Sequence, residues 1–222
     1  ADVSCLRVMD TESGCAFIEV NSKGQNRIIV SAGTNRMYTE EYIKNVLEKA
    51  EAGDFVLLQN EINMVGEIIR LSHEKGCRVV FNASPIPGKP EELPLELVDI
   101  FMVNELEAAA LAGTSTEGDF RDILKALQKK YPKAAIVMTL GKEGVFYGYK
   151  EEFYSHPIFK VNAVDTTAAG DTFCGYFLAA LCAEKSVETA LREASAASAM
   201  AVSAKGAAPS IPVHSAVEEW LC

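Results

Sequence analysis

Apolar positions along this chain change their period several times, and each change marks an element. Cys15–Val20 and Asn26–Val30 are rich in β-branched and aromatic residues, and Asn21-Ser22-Lys23-Gly24 between them supplies turn chemistry, so a hairpin is predicted. From Thr39 the period lengthens. Ile43, Val46, Leu47 and Ala50 share one face of a helix that Thr39 caps, that carries Glu40 and Glu41 in its first turn, and that Gly53 is expected to end. Phe55–Gln59 then reads as a short apolar strand, Asn63–Lys75 as an amphipathic helix stopped by Gly76, and Arg78–Asn82 as a second apolar strand, together a β-α-β unit. Beyond the proline-rich loop Ser84–Pro94 the pattern predicts a strand at Ile100–Val103, helices at Glu105–Leu111 and Phe120–Tyr131, and a strand at Ala135–Thr139. A hairpin of Val145–Tyr149 and Glu152–His156 follows, then helices at about Ala169–Ala183, Val187–Ala204 and Ser215–Leu221.

Apolar strands that do not alternate, separated by helices, imply a mostly parallel sheet covered by helices on both faces, a three-layer α/β/α arrangement. Sheets of this kind bind ligands at the carboxyl ends of their strands, so the loops after Gln59, Asn82, Val103, Thr139 and Asp165 are where chemistry is expected. No internal repeat appears at any solenoid period.

Composition narrows this picture. With 222 residues and 49% hydrophobic content, the chain can bury a substantial core. The formal charge of −10 repels the phosphate backbone of nucleic acids and anionic membrane surfaces, so neither is an expected partner. A nucleotide is not excluded, because backbone N–H groups at a helix N-terminus hold phosphate without net positive charge. The six cysteines are scattered and share no zinc-like spacing with His73, His156 and His214, which suits reduced thiols and a cytoplasmic location. Apolar runs fall short of the ~18–20 residues of a membrane span, and no signal-peptide layout opens the chain. The start Ala1-Asp2-Val3, without an initiator Met, points to a chain that begins mid-protein. Cys174 and Cys182 are expected as small core residues and Trp220 as a packing anchor.

The sharpest local signal is Val164-Asp165-Thr166-Thr167-Ala168-Ala169-Gly170-Asp171-Thr172-Phe173, between a strand and a long apolar helix. Small residues at Ala168, Ala169 and Gly170 let a phosphate approach the backbone, and their N–H groups form the positive end of the helix. Asp171, one turn in, can accept a proton from an attacking hydroxyl. Taken alone, an aspartate there is also a favourable charge in a first helical turn.

The ten-residue string resembles, without a gap, the second signature of the ribokinase-like (PfkB) carbohydrate kinases. Other segments resemble the same family in the same order, over essentially the whole chain. Leu57-Leu58-Gln59-Asn60-Glu61 is similar to the strand end that carries the family's sugar-binding glutamate, which implies that role for Glu61. Asn104 and Glu107 match its Asn-x-x-Glu, which organises Mg2+ and the nucleotide phosphates, although an i, i+3 pair is by itself as good a cap. Thr139-Leu140-Gly141-Lys142-Glu143-Gly144-Val145 resembles the ATP-contacting loop, and Lys205-Gly206-Ala207-Ala208-Pro209-Ser210-Ile211-Pro212 the loop beside adenine.

The resemblance implies a kinase that phosphorylates a sugar's primary hydroxyl with ATP, with ribose the preferred substrate. Another sugar or a nucleoside, and a non-catalytic nucleotide-binding fragment, remain as alternatives. It implies Asp171 as base, with Ala168, Ala169 and Gly170 as anion hole; Asn104, Glu107, Thr139, Gly141, Gly144, Gly170 and Gly206 around ATP; and Glu61 and Asp171 around the sugar. It also implies a K+ site at Asp165, Thr167, Ala201, Ala204, Gly206 and Ser210, where Asp165 on its own could merely cap the helix that follows. Two departures stand out. The family's first strand, half of its lid and its Gly-Gly sugar motif have no counterpart, so residues 1–35 read as a partial lid with connecting strands and residues 36–222 as the kinase core. Ser195 stands where the family often has Asn or His beside adenine. Lid hairpins of the family pair between subunits, which implies a homodimer through the lid.

Overall fold

The structure, a computed structural model, describes residues 2–20 and 26–222. The chain divides into two units, Ala1–Val98 and Asp99–Cys222.

In the first unit, β1 (Cys15–Val20) pairs antiparallel with β2 (Asn26–Ser31), with Phe17 opposite Ile29. The expected turn at Asn21–Gly24 lies outside the described residues. Helix α1 (Glu40–Leu47) is capped as predicted: the Thr39 hydroxyl accepts from the Tyr42 N–H at 3.3 Å, and Ile43 and Leu47 are buried. It ends well before Gly53. The N–H groups of Lys49 and Ala50 bond the carbonyls three residues back, and the Lys75 ammonium takes the Leu47 carbonyl, so the orphan acceptors are already satisfied.

Strands β3 (Phe55–Gln59) and β4 (Arg78–Asn82) are parallel and flank α2 (Val65–Glu74) in sequence, giving the expected β-α-β unit. The helix starts two residues after Asn63. That side chain instead bonds both backbone groups of Tyr38, accepting from its N–H at 3.0 Å and donating to its carbonyl at 2.9 Å, and Met64 adopts the left-handed conformation.

The second unit holds β5 (Ile100–Asn104), α3 (Glu105–Ala112), α4 (Phe120–Lys130), β6 (Ala135–Thr139), β7 (Val145–Tyr149) and β8 (Glu152–His156), then α5 (Ala169–Cys182), α6 (Val187–Val202) and α7 (His214–Leu221). β5 and β6 are parallel, and Asn104 registers with Thr139. β7 and β8 add antiparallel neighbours, the predicted hairpin. Ile136, Val137 and Met138 are consecutive and all fully buried, so β6 is covered on both faces, as its unbroken apolar run requires. Gly144, at φ +99°, permits the turn into β7: a β-carbon there would lie 2.2 Å from the His156 carbonyl oxygen.

Two packing expectations need correction. Cys174 is buried, but Cys182, the last residue of α5, is exposed. Trp220 meets the Phe159 ring edge-on at 4.8 Å yet stays partly exposed. Among the described residues no helix is long and apolar enough to cross a membrane.

Candidate active site

The loop entering α5 is tied down at nearly every residue. The N–H groups of Val164 and Asp165 both donate to the Val202 carbonyl, at 2.7 and 3.2 Å. One oxygen of Asp165 accepts from the Thr167 hydroxyl at 2.6 Å and the Thr167 N–H at 3.0 Å, and the other accepts from the Gly206 N–H at 3.0 Å. These donors, the Thr167 hydroxyl foremost, favour the charged form and pull the carboxyl down to about 2. Asp165 therefore braces the turn ahead of α5 and joins it to the loop after α6; it does not cap the helix, whose N-cap is Ala168 with no side-chain bond.

Ala168 then turns left-handed, at φ 59° and ψ 15°, a conformation that costs a residue with a β-carbon roughly 1–2 kcal/mol. Its carbonyl accepts both the N–H of Thr172, at 2.9 Å, and the Thr172 hydroxyl, at 2.8 Å. The next carbonyl, of Ala169, accepts the Ser198 hydroxyl from α6 at 3.0 Å. The Ala169 N–H makes a long 3.3 Å bond to Thr166. At Gly170 a β-carbon would meet nothing within 4 Å, so the space beside that residue is open. Asp171, third residue of α5, is exposed; it is the one predicted site residue that lines a cavity of about 590 Å³, which runs along α5 past Gly175 and Ala179 towards Glu193 and His214. A carboxylate and a set of amide donors at one helix end can accept a proton and stabilise negative charge within one site.

A second group of predicted residues gathers at the carboxyl edge of β5 and β6. The Asn104 side chain accepts the Glu107 N–H and the Glu107 carboxylate accepts the Asn104 N–H, each at 2.9 Å, a reciprocal capping box that starts α3. Glu107 is only 8% exposed, and Thr139 stands beside Asn104 in register, its hydroxyl 3.5 Å from the Val103 carbonyl. Gly141, at φ +49°, opens the short turn that closes when the Leu140 N–H reaches the Gly144 carbonyl at 2.8 Å. Capping fixes where the Glu107 carboxylate stands at this strand edge.

The residues assigned to a cation supply oxygen donors. Asp165, Thr167 and Gly206 share one hydrogen-bond network, the Ala201 carbonyl accepts the Ala204 N–H at 3.1 Å, and buried Ser210 donates to Ala207 at 2.8 Å. A donor set of one carboxylate and backbone oxygens suits a hard cation such as K+. Among the described residues no group of three His, Cys, Asp or Glu side chains could hold a metal ion. In the first unit Glu61 is exposed two residues past β3, on a loop that Asn60 fixes by donating from its backbone and side-chain nitrogens to Ser84 and Pro85, both at 3.0 Å.

Sequence reasoning did not single out Thr172, Ser198 or Asn60. Thr172 carried a local sign, a hydroxyl four residues after the turn it grips. Ser198 carried none, since its partner lies 29 residues away.

The family model for "pfkB family carbohydrate kinase" matches residues 2–214. The ribokinase of Haemophilus influenzae is 36% identical over 213 residues, covering 94% of this chain and 69% of that protein. The ribokinase of Bacillus subtilis is 38% identical over 219 residues, 96% of this chain and 70% of that protein. Among solved structures, ribokinase from Thermotoga maritima superposes with a TM-score of 0.82 at 35% identity, covering 96% of this chain and 71% of that one. Arabidopsis thaliana ribokinase complexed with ribose and ATP gives 0.80 at 31% identity, with 96% and 70% covered.

Proposed function

This chain belongs to the pfkB family of carbohydrate kinases, and from that premise we propose that it transfers the γ-phosphoryl group of ATP to the primary hydroxyl of D-ribose, giving D-ribose 5-phosphate and ADP. The ribose and ATP held by the Arabidopsis relative support the choice of substrates. The observation that carries the reading is Asp171 on the first turn of α5, beside an open glycine and behind a braced left-handed turn.

In this reading Asp171 accepts the hydroxyl proton as the sugar oxygen forms its bond to the γ-phosphorus and the bond to the β-phosphate oxygen breaks. The N–H groups of Ala168, Ala169 and Gly170 take the charge on the transferring group. Asn104, Glu107, Thr139, Gly141 and Gly144 flank the ATP phosphates, and Gly206 flanks the adenine. Glu61 binds sugar hydroxyls. Mg2+ would be held by phosphates and water beside Glu107, and would neutralise phosphate charge. K+ would be held by Asp165, Thr167, Ala201, Ala204, Gly206 and Ser210, and would stiffen the two loops that Asp165 joins. The hairpin pairs with that of a second copy, a reading supported by the exposed cross-strand pair Phe17 and Ile29. Free cysteines suit a cytoplasmic setting.

The test is turnover of a panel of sugars and nucleosides, followed as ADP release, for the protein and for Asp171→Asn. Ribose should give the highest kcat/KM, and the variant should lose about 10²-fold or more in kcat. Near-normal turnover by the variant would remove Asp171 from its role. Faster turnover of another acceptor would move the substrate. If ATP raises the melting temperature while no sugar does so and none is turned over, the chain is a nucleotide binder.

A further inference from the structure

The peptide unit is planar and trans, so its C=O and N–H point in opposite directions. A donor that fixes a carbonyl therefore fixes the aim of the N–H that follows. Two such carbonyls sit at the start of α5. The Thr172 hydroxyl, on a residue 2% exposed, holds the Ala168 carbonyl at 2.8 Å and so sets the direction of the Ala169 N–H, whose own bond, to the Thr166 carbonyl, is long at 3.3 Å. The Ser198 hydroxyl holds the Ala169 carbonyl at 3.0 Å and so sets the direction of the Gly170 N–H.

We propose that Thr172 and Ser198 are positioning residues that aim the phosphate-binding amides of Ala169 and Gly170, Thr172 from within α5 and Ser198 from α6. The inference rests on the reading of this helix end as the seat of the transferring phosphoryl group, and adds to it the side chains that keep the donors preorganised. Neither hydroxyl is needed to build the helix. The Thr172 N–H already satisfies the Ala168 carbonyl at 2.9 Å, so its hydroxyl is a second, orienting bond to the same oxygen. Ser198 approaches from another helix, and couples the aim of the Gly170 N–H to the packing of α6 on α5. The left-handed turn at Ala168 is what such clamping would hold in place, since an alanine left free would relax out of it.

Thr172→Val keeps the buried shape and removes the hydroxyl; Thr172→Ser keeps the hydroxyl. Ser198→Ala and Ser198→Thr form the matching pair. Kinase assays should show kcat falling about 10-fold for Thr172→Val and for Ser198→Ala with KM for ATP and sugar within about twofold, and near-complete rescue in Thr172→Ser and Ser198→Thr. Binding on the whole chain gives a second readout. The preference for a non-hydrolysable ATP analogue over ADP should fall several-fold in the two hydroxyl-less variants while ADP affinity holds. Thermal melts establish that each variant is folded, and Asp171→Asn serves as the reference. If Asp171→Asn abolishes turnover but Thr172→Val and Ser198→Ala leave both kcat and the triphosphate preference unchanged, the positioning role is wrong and the site reading stands. If Asp171→Asn retains turnover, the site reading itself has failed. Should the chain show no turnover with any acceptor, the triphosphate preference decides alone, and an unchanged preference overturns the proposal.

Discussion

At the residue scale, Asp165 shows how one side chain can serve a fold and a site together. Its carboxyl is held near 2, below its ordinary 3.8, by the Thr167 hydroxyl, then the Thr167 and Gly206 N–H groups. A carboxyl lowered on folding contributes stability that is fully present above its unfolded value and disappears as pH falls through its folded one. The stability difference between the protein and Asp165→Asn should therefore be constant above about pH 4 and shrink between about pH 4 and pH 2. Urea midpoints across that range measure it, and a difference that persists unchanged at pH 2 would show the carboxylate is not the origin. The aspartate and its place in the motif were readable in the sequence. Its bond to Gly206 was not, because 41 residues separate the two.

At the scale of elements, two glycines separate a folding constraint from a functional one. In Gly144→Ala the new methyl would collide with the His156 backbone at a φ of +99°, and the turn between β6 and β7 cannot yield without moving β8. Roughly 3 kcal/mol or more of stability should be lost. Gly170→Ala should behave oppositely. It lies within α5 in open space, so stability should hold or rise by up to about 1 kcal/mol. Its methyl nonetheless stands where a phosphoryl group would approach, and kcat should fall at least about 10-fold. Urea unfolding beside kinase assays tests both, and a Gly170→Ala variant of full activity would mean that nothing approaches that backbone closely. Periodicity located almost every strand and helix core, but helix ends depended on capping partners. Local pattern makes Asn63 the first residue of a helix, whereas its side chain spans the backbone of Tyr38 and the helix starts at Val65.

At the scale of the molecule, the hairpin β1–β2 forms a two-stranded sheet, which in water is marginal without something to pack on. Phe17 is 61% exposed and Ile29 47% exposed on one face of it. If a second copy covers that face, sedimentation velocity should show a concentration-dependent dimer, and Phe17→Lys with Ile29→Lys should leave monomers whose remaining structure is unchanged. A wild-type chain that stays monomeric across the accessible concentration range refutes lid pairing. The net charge of −10 belongs to this scale too: it disfavours polyanions, but not a phosphate held locally by helix-end amides.

The sequence by itself determined the order and type of nearly all the elements, the hairpins, and the short string that ends on Asp171, because periodicity, turn chemistry and capping are local and written within a few residues of one another. The strand expected ahead of Val164 is absent among the described residues, 157–168 being loop. It also placed Asn104 beside the carboxyl edge of a strand, but left open whether Asn104 and Glu107 were a cap or a phosphate site. Tertiary structure decided what depends on distant partners. Register set Asn104 beside Thr139, a backbone N–H from the loop after α6 closed on Asp165, and the Ser198 hydroxyl reached the first turn of α5. Aim is the property local pattern cannot encode. A helix N-terminus can be read from spacing, but the direction of each N–H is fixed by what grips the carbonyl behind it, and at Ala169 that partner comes from another helix.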